Sequence, residues 1–231
     1  NLVIAANEVD EPVDNAAGQN VTSLDNRFPV DAYLSPHSDI VALMVMEHQA
    51  LVHNRITKAN FAARSALYYQ TELNRALGEP EGNHLESVTH RIQSAGDKLV
   101  DALLMVDEAK LSAEVRGTAG FAEEFSRRGP RDAKGRSFRD LDLKRRLFKY
   151  PCSFLIYSAS FDALPDEVRE YVRQRLWDVL TGKSIDARYE HFSAEDRLAI
   201  IEILKATKTG LPESWSGDLN FRSANTKRPN G

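Results

Sequence analysis

A single cysteine, Cys152, among 231 residues leaves no partner for an intramolecular disulfide. It also excludes any multi-cysteine zinc, iron–sulfur or covalently attached c-type haem site within the chain. Long apolar runs are missing too. The longest, Ile40 to Met46, falls far short of the roughly 18–20 residues needed to cross a bilayer, so the chain is expected not to span a membrane. Neither sign of charge prevails, with 30 Lys and Arg against 34 Asp and Glu. A net charge of −4 gives no whole-chain attraction to nucleic acid or to an anionic lipid surface. What is present is globular: 42% hydrophobic residues suffice to bury a core in one large domain or two small ones.

The chain opens on Asn1, and the apolar stretch Leu2 to Ala6 lacks the basic start of a secretory signal, so a processed product or a fragment of something longer is expected. Residues 7–35 carry six acids (Glu8, Asp10, Glu11, Asp14, Asp25, Asp31) against one base, Arg27, and are broken by Pro12, Gly18 and Pro29. Residues 1–35 therefore read as an irregular acidic arm. From there the pattern is all-α. Ser35 as N-cap, Pro36 at the first helical position and Asp39 in the first turn predict a helix that runs to Leu77, where Gly78 and Pro80 stop it. At 1.5 Å per residue such a rod spans roughly 63 Å, so it either breaks near Asn54–Asn60 or protrudes to meet a partner.

Leu85, Val88, Ile92, Ala95, Leu99, Ala102 and Val106 step by threes and fours, which predicts an antiparallel bundle partner for that first helix. A short helix is expected around Thr118–Arg128. Ser137 with Asp140 suggests a capping box opening a further helical stretch towards Lys149. Pro165 with Asp166 and Glu167 opens another helix ending at Gly182, and Ser193 with Asp196 caps the last. The predicted architecture is a helical bundle over residues 36–215 with a long first helix and a polar tail, 216–231.

Two places invite chemistry. In "MVMEHQALVHNR", residues 44–55, the types that ligate metals or haem in helix bundles recur as Glu47, His48 and His53. On an ideal helix Glu47 shares a face with Ile40, Met44, Leu51 and Asn54, which predicts a buried or half-buried carboxylate, while His48 lies about 100° away and His53 about 120° away on the other side. No single ion is held by all three from one helix, and neither Glu47-His48 nor Glu86-x-x-x-His90 has the Glu-x-x-His spacing of di-metal bundles. The ordinary reading is a carboxylate and an imidazole satisfied by neighbouring helices; a single axial haem ligand at His48 is the sharper one. The second place is Arg127 to Lys149, with ten bases against three acids. Arg136, Arg139 and Arg145 are candidates there for receiving carboxylates, phosphate or haem propionates. Docking of the acidic arm across that surface is the structural alternative. No nucleic-acid reader motif surrounds Phe138, Phe148 and Tyr150.

The stretch "GPRDAKGRSFRDLDLKRRLFKYPCSFLIYSASFDALP", followed by "RLWDVLTG" and preceded by "SPHSDIVALMVMEHQ", resembles the C-terminal region of a family of bacterial proteins, some of them associated with extracytoplasmic c-type cytochrome modules. The resemblance covers roughly residues 33–215. It implies an exported, periplasmic or otherwise extracytoplasmic parent with a haem-linked role. The chain has no Cys-x-x-Cys-His, so any covalent haem belongs to another region. The expectation is a non-catalytic helical module that binds an anionic ligand or docks a haem-bearing region of a cytochrome-type partner. A metal-dependent enzyme using Glu47, His48 and histidines from other helices, and a sensor or partner-binding bundle using the long first helix, are the rivals, with a homodimer among the expected assemblies.

Overall fold

The computed structural model of the chain describes residues 25, 29–32, 39–80, 82–117, 119–184 and 186–216. Most of the acidic arm, Ser35 and Pro36, and the polar tail after residue 216 lie outside the described residues. Among the described residues the fold is helical, with one isolated antiparallel bridge, Leu141 to Phe148, and no strand.

Helix α1 runs from Ile40 to Leu77 without a break, about 57 Å at 1.5 Å per residue, because no glycine or proline interrupts it. Its N-cap is Asp39 rather than Ser35: the Asp39 carboxylate accepts the Val41 and Ala42 N–H groups. At the other end Gly78 sits at φ +70, a left-handed conformation that glycine adopts without steric cost, and the Glu79 N–H reaches back to the Asn74 carbonyl at 2.9 Å. The buried face is Val41, Val45, Val52, Ile56, Ala59, Ala63 and Ala66. Phe61 and Tyr68 lie on the opposite, exposed face.

Helix α2, Glu86–Leu103, folds back along α1. Two buried amides near the C-terminus of α1 set the turn: Gln70 Oε1 accepts the Leu85 N–H at 3.0 Å, replacing the side-chain cap that leucine lacks, and Asn74 Nδ2 donates to the Asn83 carbonyl at 2.8 Å. α2 stops at Leu103, short of Val106, as Met105 and Asp107 take positive φ. Helix α3 spans Phe121–Arg127, α4 is the single turn Ala159–Asp162, α5 is Asp166–Leu180, and α6 is Ala194–Thr207 with the Ser193/Asp196 capping box in place. A short 3-10 turn, Phe154–Tyr157, precedes α4.

The stretch from Ser137 to Lys149 is not helical. Asp140 does accept the Ser137 N–H at 3.0 Å, but the chain then folds into a tight hairpin in which Lys149 bonds back to Asp140 and Asp142 to Leu147, with Leu143 at φ +57. Asp142 Oδ1 accepts the Lys144 and Arg145 N–H groups, and so satisfies locally the donors that a helix would have paired.

α5 crosses α2 at Gly96, where a Cβ would meet the Tyr171 ring at 2.5 Å. That ring cannot swing aside freely, since its hydroxyl donates to Asp97 at 2.9 Å. Gly96→Ala is expected to destabilise the protein by about 1–3 kcal/mol through overpacking, although alanine favours helix, as a lower urea midpoint with an unchanged slope would register. Trp215, in the last described turn, packs on Trp177 of α5 with ring centroids 5.0 Å apart and closes the core from the C-terminal side.

Candidate functional site

Helix α1 is apolar on two faces near its start, and the one that packs is not the one carrying Glu47. Val52 and Val45 are buried, and Glu47 lies about 140° around the helix from Val52, so its carboxylate is exposed rather than buried. His48, about 40° from Val52, is half-buried at the edge of the core. His53 is half-buried on a different flank, about 140° from His48. The structure therefore does not bring the three together. Among the described residues no group of three or more His, Cys, Asp or Glu side chains converges as a metal site.

His48 sits in an aromatic cluster that the sequence does not announce. Its Nε2 is 2.8 Å from Ser153 Oγ, its ring meets Phe148 edge-on at 5.1 Å, and Phe154 lies 6.1 Å away. Burial without a nearby carboxylate disfavours the imidazolium, and its pKa falls from 6.5 to about 4. His48 is thus a neutral ring at neutral pH. Its Nε2 is occupied by the serine, which argues against it as an open ligand position.

Arg139 joins the same cluster. Its guanidinium stacks over Phe125 at 4.6 Å and Phe154 at 4.4 Å and makes no ion pair among the described residues. Burial, and then the charge of Arg128, lower its pKa. The other two candidate arginines lie elsewhere. Arg136 is held by Asp132 and Glu202, each at 2.6 Å, and exposed Arg145 pairs with Asp142 at 2.9 Å. Cys152 is fully buried and burial pushes its thiol pKa up, so the thiolate needed for nucleophilic attack is suppressed.

Arg136 and Arg145 nonetheless share a surface: an open cleft of about 1180 Å³ between the 140–149 hairpin, the segment after α2 and the N-terminus of α6. Six bases line it (Lys110, Arg136, Arg145, Arg146, Lys149 and Arg188), facing the acids Asp107, Glu108, Glu195 and Asp196. Arg146 is committed to Asp196 at 2.6 Å and Arg188 to Asp101 and Asp186, whereas Lys110 and Lys149 make no ion pair among the described residues. Glu108 is half-buried at the floor, where burial raises its pKa despite the Leu147 N–H bond it accepts. The chain matches no family model, no curated protein and no solved structure. What the cleft does rests on its chemistry.

One group in it stands apart from the paired charges. His191 lines the cleft, exposed, with Nδ1 2.9 Å from the Arg188 carbonyl oxygen. A carbonyl only accepts, so Nδ1 carries the proton and Nε2 keeps its lone pair, the arrangement in which a histidine is prepared to ligate a metal. Apart from Arg188, three residues before it, the lysines and arginines that line the cleft are about 40–80 residues away in sequence and join His191 only through the tertiary fold.

Proposed function

We propose that this chain is the non-catalytic helical module of a larger exported bacterial redox protein, and that its basic cleft docks the anionic edge of a haem-bearing region. The observation that supports this reading is that His191, whose Nε2 has no partner among the described residues, and two cations without an ion pair there, Lys110 and Lys149, line one open cleft of about 1180 Å³. Carboxylates at the rim of the haem meet Lys110 and Lys149. Arg145, whose Asp142 contact is solvent-exposed on the arginine side, re-pairs at small cost. His191 supplies an exposed imidazole donor suited to iron.

Titration of the protein with haemin tests it. A saturable Soret shift at one equivalent is expected, lost in His191→Ala and weakened in the Lys110→Glu/Lys149→Glu double variant, with His48→Ala behaving as the parent. A Soret shift that persists in His191→Ala, or none at all in the parent, overturns the reading.

A further inference from the structure

A second basic surface shares no lining residue with the cleft, and it differs from it in having no carboxylate along it. Between α1 and α2 runs a groove of about 410 Å³ lined by Arg55, Lys58, His90, Arg91 and Lys98, with no carboxylate among its lining residues. None of Arg55, Lys58, Arg91 and Lys98 makes an ion pair or side-chain hydrogen bond among the described residues, whereas Arg131, Arg136, Arg146, Arg175 and Arg188 each reach a carboxylate. Four permanent cations are gathered in a chain whose net charge is −4.

The packing that gathers them is specific. Ala59, Ala63 and Ala66 on α1 are fully buried and carry only a methyl group, which lets α2 lie close along that face. Ala62, Ser94 and Ala95 line the groove together with the long basic side chains of both helices. The antiparallel alignment fixed by Gln70 against Leu85 places Lys58 level with Lys98. Like charges brought together across a helix pair repel, which costs stability unless an anion lies between them. Along α2, Arg91 and Lys98 are two turns apart, about 10 Å.

We infer that this groove binds an oligophosphate, an anion presenting two or more phosphate groups along its length. Guanidinium forks at Arg55 and Arg91 meet phosphate oxygens in pairs, the ammonium groups of Lys58 and Lys98 close on the same oxygens, and the Ser94 hydroxyl is available as a neutral donor. A groove of this size matches a small ligand.

Calorimetric titration of the full chain with sodium tripolyphosphate at low salt tests this. Saturation at one equivalent is expected, with affinity falling as salt is added. The Lys58→Ala/Lys98→Ala variant weakens it about tenfold to a hundredfold, the loss expected for two charged contacts. Arg145→Ala, in the other cleft, leaves it unchanged, so failure here is separable from failure of the haem reading. Tripolyphosphate raises the melting temperature of the parent and not of the variant, while the variant's own melting temperature without ligand is no lower than the parent's, because its lysines have no structural partner. Sulfate competing at equal concentration, or equal heats from parent and variant, overturns the inference. So does tighter binding per phosphate of a thymidine 12-mer that is lost in Phe61→Ala, which would assign the surface to single-stranded nucleic acid.

Discussion

Asp39→Ala lowers the unfolding free energy by about 2–4 kcal/mol, a large share of the stability of a domain of this size. The size follows from how much one carboxylate holds. Its Oδ1 accepts the Val41 N–H at 2.9 Å and the Ala42 N–H at 3.1 Å, which caps a helix of 38 residues. Its Oδ2 accepts the Ala119 N–H at 2.9 Å, fastening the segment before α3 to the start of α1 across 80 positions of sequence. Losing a cap alone costs about 0.5–2 kcal/mol, and leaving a further part-buried N–H without an acceptor adds about 1–3. Asp39→Asn keeps only one acceptor oxygen and so recovers either the cap or the tether, not both. Gly117 provides an independent check, since a Cβ there would come within 2.6 Å of Asp39 Oδ2. Gly117→Ala is therefore destabilising in the same sense while leaving the carboxylate itself in place. Urea unfolding followed by circular dichroism measures all three; an Asp39→Ala protein within 0.5 kcal/mol of the parent, the ordinary scatter of a surface substitution, would show that the tether does not hold α1.

The helices were legible wherever a local signal and a tertiary one agree. Gly78 after Leu77, Pro165 before Asp166 and Ser193 with Asp196 mark boundaries that the structure keeps, because caps and stops depend on a few adjacent residues. α2 was legible as a face because its apolar stripe is single. The start of α1 was not: from Ile40 to Val52 nearly every side chain is apolar, and choosing between a face centred on Met44 and one centred on Val45 requires knowing which neighbour is there. Taking the former buried Glu47 on paper; the fold buries Val45 and leaves Glu47 in water.

The Ser137–Asp140 pair was misread for a related reason. The same serine and aspartate bond closes a turn as readily as it opens a helix, and the hydrogen bonding of Asp142 to Lys144 and Arg145 decides in favour of the turn. Sites assembled across the chain were the least legible. Ten bases run from Arg127 to Lys149, yet seven of them pair with carboxylates, among them Asp132, Asp140, Asp142, Asp196 and Glu202. Arg55, Lys58, Arg91 and Lys98, which make no ion pair among the described residues, are spaced singly along two helices. Only the packing of α1 against α2 gathers them.

His48 gives the fold a built-in sensitivity to acid, expected at roughly 2–3 kcal/mol between pH 7.5 and pH 4.5. Burial holds its folded pKa at about 4, while the unfolded chain takes a proton near the ordinary 6.5. Between those values the unfolded state binds the extra proton, so stability falls as pH drops from 6.5 towards 4 and is fully present above 6.5. The groups around the ring make the direction firm. Phe148 and Phe154 flank it, Ser153 Oγ is its hydrogen-bond partner at 2.8 Å, and Arg139, stacked on the same Phe154 ring, adds positive charge rather than relief. Asp142 and Asp196, whose folded pKa values are lowered by hydrogen bonds and guanidinium neighbours, also lose their contribution in acid, but below the range in which His48 acts. The parent and a His48→Gln variant share those carboxylates. Subtracting the pH dependence of one from the other therefore isolates the imidazole. Urea unfolding at half-unit steps from pH 7.5 to 4.5 should show the parent losing stability more steeply than His48→Gln, and parallel curves would mean that the ring takes its proton in the folded protein as easily as in the unfolded chain.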